Sequence, residues 1–324
     1  MLNMRALKLV GAALASLLLL TSVQAQQYPT RPIRIINPYQ PGGTGDVIIR
    51  PIAEKLAQAL GQPVLVENKP GSNGILGAST VAKAAPDGYT LLLSDAGAIA
   101  ISQALTPKPP YDSQKDLKPI TQLIAGPTVL IVRPDLPVKT FKDLLEYAKR
   151  HPGKVTYGSV GPGSPTHLAG AMLEMMGGVN IVHVPYKGSA QVLTDMRGGH
   201  IDMAFMNIAG ALPHIQAGNV RALAVTTLKR STLFPELPAV NEVFPGYEVN
   251  SWWGLMAPAG TPPEVVARLY AEVNKIVRQP EISERHRQSG LETEGSTPDQ
   301  YGARIRDDIA RWTKVVRATG VSAN

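Results

Sequence analysis

The stretch Pro38-Tyr39-Gln40-Pro41-Gly42-Gly43-Thr44-Gly45-Asp46 joins two patterns of different period. Before it lies the apolar run Ile33-Arg34-Ile35-Ile36, which reads as a strand. After it Val47, Ile48, Ile52, Leu56, Ala59 and Leu60 recur on one broad helical face. A strand therefore ends in a glycine-rich turn where a helix begins. The first N–H groups of a helix lack intrahelical partners, and the positive end of its dipole lies behind them. Such a turn suits a carboxylate or phosphate.

The same alternation runs along the chain. Strands are predicted at Ile33–Asn37, Val64–Glu67, Thr90–Ser94, Val129–Val132, Val155–Ser159, Ile181–Pro185, Met203–Met206 and Ala222–Val225. Helical patterns cover Phe141–Arg150, Pro165–Met176, Ala190–Arg197, Pro263–Val277 and Pro298–Thr319. Alternating elements of this kind predict an α/β protein with crossover helices over sheets. Pro51 inside the first helix removes a backbone donor at a cost of about 3 kcal/mol unless the helix kinks, which leaves the helix geometry there open. A weak internal echo links Val66-Glu67-Asn68-Lys69-Pro70-Gly71-Ser72 with Val184-Pro185-Tyr186-Lys187-Gly188-Ser189 and suggests two similar halves.

Arg5 and Lys8 precede an apolar core from Val10 to Leu20, and Val23-Gln24-Ala25 has the small-residue spacing of a cleavage site. An export signal over residues 1–25 is expected, leaving 299 of 324 residues, enough for two domains. An uncleaved anchor is disfavoured, because the core falls short of the roughly 20 residues that span a bilayer. The chain has no cysteine, which excludes disulfides, thiol catalysis and a lipid-modified cysteine after the signal. Its formal charge is +7, its basic residues are scattered and only 5% of residues are aromatic, so nucleic-acid binding is disfavoured. The motifs G-x-S-x-G, G-x-x-x-x-G-K-[ST], H-E-x-x-H and G-x-G-x-x-G are absent, and the 6 His lack metal spacing. No enzyme activity, metal or cofactor is predicted, with a periplasmic hydrolase as the weaker alternative.

Open α/β sheets bind ligands beyond the carboxyl ends of their strands. Those ends lead here into Pro41–Asp46, Asp95-Ala96-Gly97-Ala98, Gly161–His167, Tyr186–Ser189 and Asn207–Gly210. All five are small, polar or glycine-rich, which describes a cleft that reads its ligand with backbone and hydroxyl groups.

Pro41-Gly42-Gly43-Thr44-Gly45-Asp46 with Arg50 resembles the Pro-Gly-Gly-x-x-Asp-x-x-x-Arg signature of the tripartite tricarboxylate transporter substrate-binding proteins, the Bug family. The stretches Val66–Gly71, Ala85–Leu91, Gly163–Ala169, Val184–Gly188, Pro245-Gly246-Tyr247 and Trp253-Gly254-Leu255 match in order. The resemblance implies a two-domain periplasmic-binding-protein-like fold, with mixed sheets flanked by helices and a cleft between domains. Domain 1 would be 26–125 plus 251–324 and domain 2 would be 126–250, with crossings near Leu123–Thr128 and Glu248–Met256. It also implies a monomeric periplasmic protein that delivers a small carboxylated solute to a two-component inner-membrane permease. A sensor partner in place of the permease is the alternative.

The candidate ligand contacts follow the strand ends. They are Tyr39, Gly42, Gly43, Thr44, Gly45 and Asp46; Ser94, Asp95 and Ala96; Ser159, Gly163, Ser164, Thr166 and His167; Lys187, Gly188 and Ser189; Asn207 and Ala209. Each carries a blander reading as well. Thr44 is either a helix cap or a ligand donor. Asp46, in a first helical turn, reads as pinning the loop. His167 reads as an organiser of its loop. Asp95 departs from the small neutral residue expected in the family: it either pairs with a ligand amino group or caps the segment that follows. Trp252 and Trp253 read as packing at the crossing.

Overall fold

The computed structural model describes residues 28–322 except Pro107, so the predicted signal over 1–25 lies outside the described residues. Residues from Arg31 onward form one compact unit. Its strands are β1 Ile33–Asn37, β2 Val64–Asn68, β3 Thr90–Asp95, β4 Leu117–Val132, β5 Val155–Ser159, β6 Ile181–Pro185, β7 Met203–Asn207, β8 Arg221–Val225, β9 Asn250–Pro258 and β10 Glu292–Thr293. Its α-helices are α1 Thr44–Leu60, α2 Ile75–Ala82, α3 Ser102–Leu105, α4 Phe141–Arg150, α5 Pro165–Gly177, α6 Ser189–Arg197, α7 Ile208–Gln216, α8 Pro263–Val277, α9 Pro280–Gln288 and α10 Pro298–Thr319.

Among the described residues the strands form one mixed sheet in the order β2-β1-β3-β9-β4-β7-β5-β6, with β8 and β10 also paired to β4. The pairs β1–β2, β1–β3, β5–β6 and β5–β7 are parallel, which calls for crossover connections between their strands. The centre is antiparallel. Residues 117–127 of β4 lie against β9, and residues 128–132 lie against β7 and β8. The two segments expected to cross between domains are thus neighbouring strands, with Ala125 opposite Trp252 and Pro127 opposite Asn250.

β4 is far longer than the predicted Val129–Val132. Pro119, Gly126 and Pro127 interrupt its sequence pattern, and the ladder absorbs the strain through register shifts at Pro119/Thr121 and Gln122/Ile124.

Helix α1 buries Ile48, Ile49, Ile52 and Leu56 completely, each contributing about 1.5–3 kcal/mol as an upper figure. That burial carries the helix from Thr44 to Leu60 through Pro51. Gly61, at φ +66°, ends it with a left-handed cap. The core includes Trp252, Trp312, Tyr157, Tyr247 and Tyr301. The Trp252 indole N–H donates to the Asp308 carboxylate of α10, fixing that helix across β9.

Candidate functional site

The loop between β1 and α1 is built around Asp46. Its carboxylate accepts from the Gly42 N–H at 2.6 Å, from Asn37 Nδ2 at 2.9 Å and from Asn68 Nδ2 at 3.2 Å, and it pairs with Arg50 at 3.1 Å. Burial opposes the charge. The Gly42 N–H, the two amides and Arg50 outweigh it and hold the Asp46 pKa below the ordinary carboxylate value. The side chain pins the loop and spends its oxygens inside the protein. Gly42 stands at φ +80°, where glycine is favoured, whereas Gly43 is extended and is the N-cap of α1. Thr44 is the first residue of the helix and not its cap. Gly45 has a steric reason: a Cβ there would lie 2.5 Å from Asn37 Oδ1. The helix start leaves the Thr44 and Gly45 N–H groups without intrahelical acceptors.

Asp95, at the end of β3, is only 6% exposed. It accepts from the Tyr39 hydroxyl at 2.7 Å, from the Gly97 N–H at 3.1 Å and from the Ala98 N–H at 3.2 Å. Of its two readings, the structure carries the capping one. Burial pushes its carboxyl up to about 6 against these three hydrogen bonds. Tyr39 also meets the Trp253 ring edge-on at 5.4 Å. Ser94 is fully buried, bonded to the Gly254 carbonyl at 2.9 Å and to the Tyr301 hydroxyl at 2.8 Å. Ala96 is buried beside it.

The loop after β5 is organised by its own hydroxyls. Ser164 caps α5, accepting from the His167 N–H at 3.2 Å and donating to the Gly161 carbonyl at 2.7 Å. Thr166 Oγ1 accepts from the Val160 N–H at 3.1 Å. Ser159 Oγ lies 2.6 Å from His183 Nε2. His167 Nδ1 accepts from the Gly163 N–H at 3.0 Å, so this nitrogen is bare and the ring is neutral. His167 and His183 stack at 3.9 Å with planes 9° apart, and Tyr157 lies against them. Burial lowers both imidazoles, His183 to about 4 with help from His167.

Lys187 and Ser189 are exposed, and Gly188 precedes α6 as its N-cap. Asn207 is the half-buried N-cap of α7, opposite Thr128 in the ladder, and Ala209 follows it. These positions retain side chains or backbone free to meet a ligand.

One residue brings the two groups of loops together, and the sequence reading passed over it. Asn73 Nδ2 donates to the Gly163 carbonyl at 3.2 Å across 90 positions of sequence. Gly163 itself stands at φ +70°, and a Cβ there would lie 2.4 Å from Leu105 Cδ1. The only sequence signal for Asn73 is its place in the turn Gly71-Ser72-Asn73-Gly74.

A cavity of about 520 Å³ lies elsewhere, between α5, β6 and the end of α10. Tyr157, His167, Glu174, His183 and Thr319 contribute to its wall. It shares only His167 with the predicted contacts. Among the described residues no group of three or more His, Cys, Asp or Glu side chains could hold a metal ion, and no helix is long and apolar enough to cross a membrane.

The chain's mixed α/β fold is that of the periplasmic binding proteins on which it superposes. The chain belongs to the tripartite tricarboxylate transporter family receptors, which it matches over residues 48–321. It is 37% identical to protein BugT of Bordetella pertussis, over 98% of each chain. It superposes on R. palustris Rpa4515 with adipate at a TM-score of 0.87 and 35% identity, covering 91% of this chain and 99% of that one. For MatC of Rhodopseudomonas palustris with bound malate the values are 0.83 and 31%, covering 89% and 100%.

Proposed function

We propose that this protein is an exported receptor that captures a small carboxylated solute in the periplasm and hands it, unaltered, to a two-component inner-membrane permease. The observation that carries the reading is the β1–α1 loop. Asp46 holds it rigid from behind, so its helix-start N–H groups are free for an anion. The adipate and malate of the two relatives support a carboxylate as that anion.

In this reading residues 26–125 with 251–324 form one domain and 126–250 the other. One ligand carboxylate lies against Gly42–Gly45. The loops of Gly163, Lys187–Ser189 and Asn207–Ala209 then close over the distal end. Ser164, Thr166 and His167 shape the second loop, and a hinge in β4 and β9 permits the closure.

Thermal unfolding of ligand-free protein against dicarboxylates, aromatic acids, nicotinate, aspartate, glutamate and citrate tests this. A bound acid at 100 times its Kd adds about 2.7 kcal/mol, a rise of a few degrees. A selective rise is expected, and no rise with any acid would refute the reading.

A further inference from the structure

Gly163 is engaged on three sides where the two groups of loops meet. Its carbonyl accepts from Asn73 Nδ2 at 3.2 Å. Its Cα lies against α3, since a Cβ there would fall 2.4 Å from Leu105 Cδ1. Its N–H donates to His167 Nδ1 at 3.0 Å. The first two contacts tie Gly163 to the loops of the N-terminal part of the chain. The third fixes where Gly163 itself stands.

That third contact has a titratable acceptor. A neutral imidazole has one bare nitrogen and one N–H, whereas an imidazolium has two N–H groups. The Gly163 N–H marks Nδ1 of His167 as the bare nitrogen. A proton added to this ring therefore lands on the atom that Gly163 uses and sets two N–H groups against each other. Gly163 is buried, so its N–H finds no water in place of the lost acceptor, and the loop must shift.

The surroundings keep His167 neutral. His183 of β6 stacks on it at 3.9 Å, and Tyr157 of β5 lies parallel at 6.5 Å. Glu174 follows two turns further along α5 and accepts from the Ile181 N–H at 3.1 Å. These four are the titratable side chains around the cavity of about 520 Å³, because the end of α10 brings only Ala318 to Ser322 to its wall. No carboxylate holds a proton on either ring. Burial lowers His167, and burial together with His167 lowers His183. Both rings are half-buried and border the open cavity, so protons reach them from solvent.

We propose that His167 is a positioning residue for closure: its unprotonated Nδ1 holds Gly163 where Asn73 grips it, and a proton on that nitrogen undoes the grip and loosens the bound ligand. The proposal rests on the closing loops of the carboxylate reading and adds what holds them shut. The sign follows from the lowered imidazole. Affinity is full above about pH 6.5, the ordinary imidazole value, and is lost as pH falls below it.

The first test needs no ligand. Heteronuclear NMR follows the His167 ring nitrogens, the Gly163 amide and the Asn73 side-chain amide from about pH 7.5 to about pH 5. The three should titrate together. In His167→Asn an Oδ1 that takes up no proton replaces the ring nitrogen, and the Gly163 and Asn73 signals should stay still. The second test is calorimetric titration with adipate and with malate at the two ends of that range. The ratio of the acid to the neutral Kd should be larger in wild type than in His167→Asn by roughly fivefold, the factor one neutral hydrogen bond supplies. Ionisation of each acid is common to both proteins and cancels in this comparison. Asn73 and Gly163 signals that ignore the titration of His167 overturn the proposal. Equal Kd ratios in the two proteins overturn it as well, while the binding itself leaves the carboxylate reading standing. Failure of both acids to bind counts against the carboxylate reading alone, and the ligand-free titration then decides the proposal.

Discussion

Replacing Gly45 by alanine tests the geometry of the β1–α1 loop directly. The added methyl would sit 2.5 Å from Asn37 Oδ1, 2.8 Å from its Nδ2 and 3.0 Å from its Cγ. Asn37 is fully buried and cannot turn outward. It is also held at both ends, accepting from the Tyr39 N–H at 3.3 Å and donating to Asp46 at 2.9 Å. Relief of the clash breaks one neutral bond, worth about 0.5–1.5 kcal/mol, and one bond to a charged group, worth about 1.5–3 kcal/mol. Alanine in a helix returns about 0.5–1 kcal/mol. The net loss is about 1–4 kcal/mol, a fall in Tm of about 2–6 °C for a chain of this length. Affinity for the carboxylate should fall at least roughly tenfold, because Asp46 loses a partner and the loop shifts. Gly302→Ala is the control. It lies in α10, where a Cβ meets nothing nearer than 3.6 Å, so the same change should raise Tm slightly. Scanning calorimetry and ligand titration measure both effects. A Gly45→Ala protein with wild-type Tm and affinity would refute the role assigned to Asn37.

Three further outcomes follow from the site and its support. Asp46→Ala removes the acceptor for Gly42, Asn37 and Asn68 and should cost about 2–3 kcal/mol with a loss of binding; wild-type titration curves would contradict the pinned loop. Burial holds His183 at about 4 in the folded protein and also lowers His167. The unfolded chain, with imidazoles near about 6.5, binds more protons between those values, so stability should be full above pH about 6.5 and decline toward pH about 4. His183→Gln should flatten that decline in melting curves, and an unchanged slope would assign it to other groups. Gly170→Ala in α5 puts a methyl 2.1 Å from the buried Tyr157 ring and should cost about 1–3 kcal/mol, partly restored by Tyr157→Leu; a neutral result would mean α5 can shift freely from β5.

Much of the fold is legible because apolar period and punctuation agree. β1, β5 and β6 fall on their predicted residues, as do α4, α8 and α10. Thr297 and Pro298 mark the start of α10 in the sequence, and Gly320 caps its end. β9 and the first part of β4 are not legible as strands, since both faces are buried and prolines break the pattern. α9 is missed because only Ile282 and His286 are buried on an otherwise polar segment. At the site, the Asp46 role is readable from its place in the first turn. The Asp95 cap is one of two readings open in the sequence, but its bond to Tyr39 is not legible, because the two are 56 positions apart and only the β1–β3 pairing brings them together. Asn73 is hidden for the same reason, its partner Gly163 being 90 positions distant.

β4 also decides how the molecule comes apart. One strand supplies the pairing partner of β7, β8, β9 and β10, so its withdrawal removes four ladders at once. β4 cannot leave without parting β9 and β3 on one side from β7 and β5 on the other. Despite its length the chain should therefore unfold in a single cooperative transition, with calorimetric and van't Hoff enthalpies equal. A solute held at the β1–α1 loop would then slow amide exchange in β8 as much as in β3, across the whole width of the sheet.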